Sequence, residues 1–119
     1  MAAKFTYADL TYLESMSMGS NEMVVEMIRI FLDQIPEFTE GLQKLLEEQN
    51  YVELGALAHK AKSSVAVMGM NQLADDLKTL ELNAKAQTDP ESYPVLVNRF
   101  IEQVTVTGQE LEAYVSSIS

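Results

Sequence analysis

Apolar residues recur in this chain at intervals of three and four almost from end to end, and nowhere do they alternate with polar ones long enough to make a strand. That period is the α-helix's own, so the sequence predicts an all-α fold with one apolar face per helix. The longest stripe, Val24, Met27/Ile28, Phe31/Leu32, Ile35, Phe38, Leu42 and Leu45/Leu46, continues through Pro36. One helix, capped by Ser20 or Asn21 and kinked at the proline, is therefore expected. A second stripe, Leu54, Leu57/Ala58, Ala61, Val65 and Met68, follows a cap at Asn50, and Gly69 suits the left-handed residue that ends it. A third, Leu73, Leu77, Leu80 and Ala84, fades into the polar AQTDPES. Asp89 and Pro90 then open the last helix, with Val97, Phe100/Ile101, Val104, Leu111, Tyr114/Val115 and Ile118 inward, and Gly108 weakens its middle. A short helix over residues 7–16, capped by Thr6 and stopping near Gly19, precedes them all.

Helices of this length with short connections pack most simply as an antiparallel up-down-up-down four-helix bundle, here with a short extra N-terminal helix. A chain of 119 residues is the size of one domain, expected to span 1–119. No apolar run approaches the roughly 20 residues of a membrane span, and the start lacks the apolar core of a secretion signal, so a cytoplasmic location is expected. The absence of cysteine removes disulfides and thiolate chemistry. A formal net charge of −10 without a basic patch repels nucleic acid and anionic membranes alike.

Enzymatic scaffolds are missing as well. No phosphate-binding glycine loop and no G-x-S-x-G nucleophile turn occurs. A carboxylate-bridged metal site in a bundle wants Glu-x-x-His pairs, yet position 56 is alanine and His59 is the one histidine, so no resident metal is expected. Glu47/Glu48 and Asp75/Asp76 are adjacent pairs that diverge on a helix, which makes them solvated faces rather than catalytic dyads. Most of the seven methionines are read as core filler.

His59 is the exception. At about 100° per residue it falls well over a right angle from the centre of its helix's apolar stripe. Gly55, Ala56, Ser63 and Ala66, three, four and seven positions away, leave the ring in a clearing where a surface helix would ordinarily carry long side chains. Lys62, one turn on, offers an ammonium that can neutralise an anion placed on the imidazole. An exposed imidazole is largely neutral and nucleophilic at neutral pH, but its second nitrogen needs a partner to fix the tautomer. About ten residues back from the Gly69 turn, the opposing helix brings Glu81 to that level, which makes it the candidate orienter. From the residues alone, a lone surface histidine beside one of eight ordinary basic residues accounts for the pattern equally well.

The stretch HKAKSSVAVMG resembles the signature of histidine-containing phosphotransfer domains, in which an acceptor histidine is followed by lysine at three, glycine at four and glycine at ten. His59, Lys62 and Gly69 match, Ser63 replaces the first glycine, and Phe31, Pro36 and the later LKTLE extend the similarity over most of the chain. In several members of that family a neutral polar residue on the following helix hydrogen-bonds the imidazole, where Glu81 would bring a charge. The resemblance implies a phosphorelay intermediate in which His59 takes a phosphoryl group from a receiver-domain aspartate and passes it to another receiver. Lys62 would stabilise the phosphate, with no kinase activity of the chain's own. It further implies response-regulator receiver domains and a hybrid sensor histidine kinase as partners, magnesium carried by the receiver, and a monomer. The expected docking face comprises Val52, Gly55, Ala56, Ser63, Ala66, Val67 and Met70. A helical interaction module that needs no phosphorylation is the alternative.

Overall fold

The computed structural model describes residues 5–118, and the reading that the start lacks a secretion signal rests in part on positions 1–4, outside the described residues. Five helices follow one another: α1 (Thr11–Met16), α2 (Asn21–Glu47), α3 (Tyr51–Val67), α4 (Asn71–Ala86) and α5 (Ser92–Ile118). Helices α2 to α5 form an antiparallel four-helix bundle in which α3 packs on α4, α4 on α5, and α2 closes the ring against α3 and α5. The expected all-α bundle with its short extra helix is what forms.

The termini explain the boundaries. Ser20 is extended, and its hydroxyl accepts the Met23 N–H at 3.2 Å, opening α2. Asn50 does the same for Glu53 at 3.4 Å at the start of α3. Gly69 closes α3 at φ +72°: its N–H donates to Ala66 and that of Met70 to Val65, both at 3.0 Å. A side chain at Gly69 would also run into the Asp9 carbonyl, because the Asp9 N–H donates to Met68 at 3.0 Å and pins the N-terminal segment over the α3–α4 turn. With only residues 68–70 between α3 and α4, the two helices must run back to back.

Four expectations shift. The first helix starts at Thr11, not at residue 7, because the Asp9 carboxylate accepts both the N–H and the hydroxyl of Thr11 (3.0 and 2.6 Å) and turns the chain there. Thr6 caps nothing; its N–H and hydroxyl bind the Glu110 carboxylate on α5 at 2.9 and 2.7 Å. The last helix begins at Ser92, since Asp89 sits at φ +52° and its carbonyl takes the Ser92 N–H and hydroxyl (3.0 and 2.8 Å). Helix α5 also runs unbroken past Gly108, which is buried with Thr107 against α2, so tertiary packing overrides weak local propensity.

The core runs through the bundle from Leu13 and Ile28 to Leu54, Leu77 and Val97, with Phe38 and Phe100 meeting edge to face at 6.4 Å. The methionines divide. Met68 and Met70 are buried and Met27 half-buried, whereas Met16, Met18 and Met23 are exposed, so core filling accounts for fewer of them than expected.

Candidate functional site

Helix α3 carries its apolar residues Leu54, Ala58, Ala61 and Val65 into the core, which turns His59 outward with 61 % of its side chain exposed. On the facing helix, Leu77, Leu80 and Ala84 fix the rotation of α4 so that Glu81, on the flank of that stripe, enters the seam between the two helices. Its side chain is 8 % exposed. A carboxylate that far from water is tolerated only when paired and fully hydrogen-bonded. Three groups meet that demand: His59 Nδ1 lies 2.9 Å from Oε2, Lys85 Nζ 2.8 Å from the same oxygen, and Lys62 Nζ 3.1 Å from Oε1.

Those partners hold the Glu81 carboxyl well below the usual carboxylate range, at about 2. The Lys85 ammonium contributes most; burial pulls the other way, and the Lys62 and His59 hydrogen bonds add to the lowering. An ionised carboxylate only accepts, so the facing Nδ1 carries the ring proton. In the neutral imidazole this leaves the lone pair on Nε2, the nitrogen remote from Glu81. The arrangement presents a nucleophilic nitrogen on an exposed ring whose tautomer is set from behind.

The sequence-predicted residues thus gather as His59, Lys62 and Glu81, but Lys62 is engaged by the carboxylate rather than standing free. Sequence reasoning misses Lys85, although its spacing of four from Glu81 on one helix face is legible there. Of the expected docking residues, Val52, Ala56, Ser63 and Ala66 are exposed and Val67 half-buried. Two are corrected. Gly55 is buried against α4, where an added Cβ would stand 3.2 Å from the Glu81 carbonyl oxygen, and Met70, at 2 % exposure, is part of the core. The α3–α4 turn folds Met70 inward, and Gly55 lies on the side of α3 that faces its partner helix.

Two shallow grooves flank the exposed strip. One, of about 250 Å³, is lined by Ser63 and Val67 together with Met27, Ile30 and Gln34 of α2; the other, of about 650 Å³, by Ala66 and Val67 together with Tyr12 of α1. Ile30 and Tyr12 are more than half exposed, and a search for inward-facing stripes passes over such outward apolar residues. Among the described residues no cluster of acidic or histidine side chains could hold a metal ion, and no helix is long and apolar enough to cross a membrane.

No curated protein and no solved structure matches the chain. The family model of the Hpt domain matches residues 26–116, a span that takes in most of α2 and all of α3 and α4. Hpt domains carry phosphoryl groups in two-component signalling, generally as phosphocarriers and not kinases, and they generally interact with receiver domains and kinases. With that match over most of its length, and with its exposed histidine on a helical bundle, the chain belongs to the Hpt domain family.

Proposed function

We propose that this protein is a phosphorelay intermediate whose His59 takes a phosphoryl group from the aspartyl phosphate of one receiver domain and hands it to another. The observation that carries the reading is the exposed His59 ring held by Glu81 at Nδ1, 2.9 Å away. In the transfer, the Nε2 lone pair attacks phosphorus, the N–P bond forms, and the bond from phosphorus to the aspartate oxygen breaks with its electron pair leaving on the carboxylate. The proton stays on Nδ1. The ring therefore becomes an imidazolium, and the carboxylate behind it stabilises the charge that develops. Retaining that proton also keeps the ring a good leaving group, so the same geometry serves transfer in both directions.

Lys62, one turn from His59, is the cation that reaches the phosphoryl oxygens. Magnesium belongs to the receiver, whose own acidic residues would hold it. The receiver docks across Val52, Ala56, Ser63, Ala66 and Val67 and into the two grooves beside them, a transient contact of about 1,200 Å² or less in total.

Incubation with a phosphorylated receiver tests the proposal. The expected product is an acid-labile phosphoprotein that His59→Gln does not form. A label that survives acid, or transfer that persists in His59→Gln, would move the acceptor to another residue, and no label at all would leave the bundle as an interaction module that needs no phosphorylation.

A further inference from the structure

Glu81 has two oxygens and three donors, and the way these are shared separates the two lysines. Oε1 faces Lys62 alone at 3.1 Å, whereas Oε2 is shared by His59 Nδ1 and Lys85. Lys62 stands on α3, one turn from the acceptor ring, and donates to Oε1. Lys85 stands on α4, four residues from Glu81 on the same helix. Its stem passes beside α3 and its side chain is 54 % exposed: a Cβ on Gly55 would stand 3.2 Å from Lys85 Cγ, so the missing side chain at Gly55 makes room for it.

Formal charges give this division a purpose. When His59 is phosphorylated, the site holds a doubly negative phosphoryl group and the Glu81 carboxylate, balanced by the imidazolium, Lys62 and Lys85. The charges cancel only if Lys85 is counted. Without Lys85, a carboxylate 8 % exposed and the phosphoryl group would compete for one lysine, and the site would be left with excess negative charge in a poorly solvated seam.

We propose that Lys85 is a positioning residue for phosphoryl transfer: it is the fixed counter-ion of Glu81, and its presence frees Lys62 to leave that carboxylate for the phosphoryl group. The inference rests on the reading of His59 as phosphoryl acceptor. Lys85 touches neither the acceptor nitrogen nor the incoming group; it acts through Glu81.

Single-turnover transfer from a phosphorylated receiver decides it, with folding of each variant checked by circular dichroism. Lys85→Met is expected to slow transfer about tenfold, the effect of roughly one displaced charge. Lys85→Arg keeps the charge and should stay within about twofold of wild type. In the Glu81→Gln background there is no carboxylate to neutralise, so adding Lys85→Met should produce no further slowing. A role in packing alone would slow transfer equally in both backgrounds. A wild-type rate in Lys85→Met, or the same loss with and without Glu81, overturns the proposal. A second measurement needs no receiver: hydrogen exchange of the Lys62 ammonium, read by NMR, should slow in Lys85→Met because Lys62 is then the one lysine left on Glu81. Unchanged exchange refutes the fixed counter-ion. Should wild type accept no phosphoryl group at all, the proposed function falls, and the Lys62 signal still shows whether Lys85 is the counter-ion that frees it.

Discussion

Gly55 on α3 and Ala84 on α4 stand so close that a Cβ on the glycine would touch that of the alanine at 3.5 Å, and this approach sets the depth at which Glu81 reaches His59. Gly55→Ala adds a methyl group where its closest neighbours would be 3.2 Å away, while gaining up to about 1 kcal/mol of helix propensity, so its melting temperature should change little. Gly55→Leu has no such room. It should lose about 1–3 kcal/mol in a denaturant titration and slow phosphoryl transfer by pushing α4, with Glu81, away from the ring. Wild-type stability in Gly55→Leu would mean that the two helices have slack between them.

Lys62→Ala should leave the bundle folded, since Glu81 keeps Lys85 and His59, and cost about 1 kcal/mol or less in stability. Transfer from a receiver should slow roughly ten- to a hundredfold, equivalent to about 1.4–2.7 kcal/mol of barrier. Rapid-quench single-turnover kinetics measures it, and an unchanged rate would reduce Lys62 to a surface ion pair.

Ala66 lies exposed on the lining of the larger groove, so Ala66→Trp should leave the core and helicity intact while crowding that face. A receiver would then meet a bulky ring where it must lie flat, and transfer should fall steeply. Phosphoramidate, which needs only the imidazole, should still modify His59. Receiver transfer at the wild-type rate with the fold preserved would move the docking face elsewhere.

Acid should weaken the fold through Glu81. Its carboxyl sits at about 2 in the native state against an ordinary value of 4.5, so in this window the unfolded chain binds the extra proton and stability falls as pH drops. The contribution is complete above about pH 4.5 and gone by about pH 2, and amounts to roughly 1–3 kcal/mol after allowance for the solvent around the half-exposed Lys85. Glu81→Gln removes the linkage. Its stability relative to wild type should therefore improve on acidification through this range, and parallel curves for the two proteins would contradict the buried ion cluster.

How far the sequence can be read depends on what each residue answers to. Stripes and caps answer to local geometry, which is why Ser20, Asn50 and Gly69 stand at the helix ends expected of them and the four bundle helices emerge from periodicity. Thr6 does not cap because Asp9 offers a competing turn and Glu110, more than a hundred residues away in sequence, offers a better partner. His59 and Glu81 can be paired by counting along a hairpin with a three-residue connection. Met70 and Gly55 cannot be placed that way, since the inward fold of a turn and the closest line between two helices depend on side chains of both. The capture of Lys62 by Glu81 is hidden for a related reason. A lysine stem reaches either way, and only the burial of the carboxylate decides which.

Because residues 68–70 alone join α3 to α4, every group of the site belongs to one contiguous hairpin, with Lys62 and Glu81 only 19 positions apart. Closing so short a loop costs little chain entropy, and contacts that are near in sequence form early. The ion cluster can therefore assemble before α5 swings in to complete the bundle. Its chemistry is carried by a segment small enough to be transplanted as a unit onto another helical pair of the same spacing.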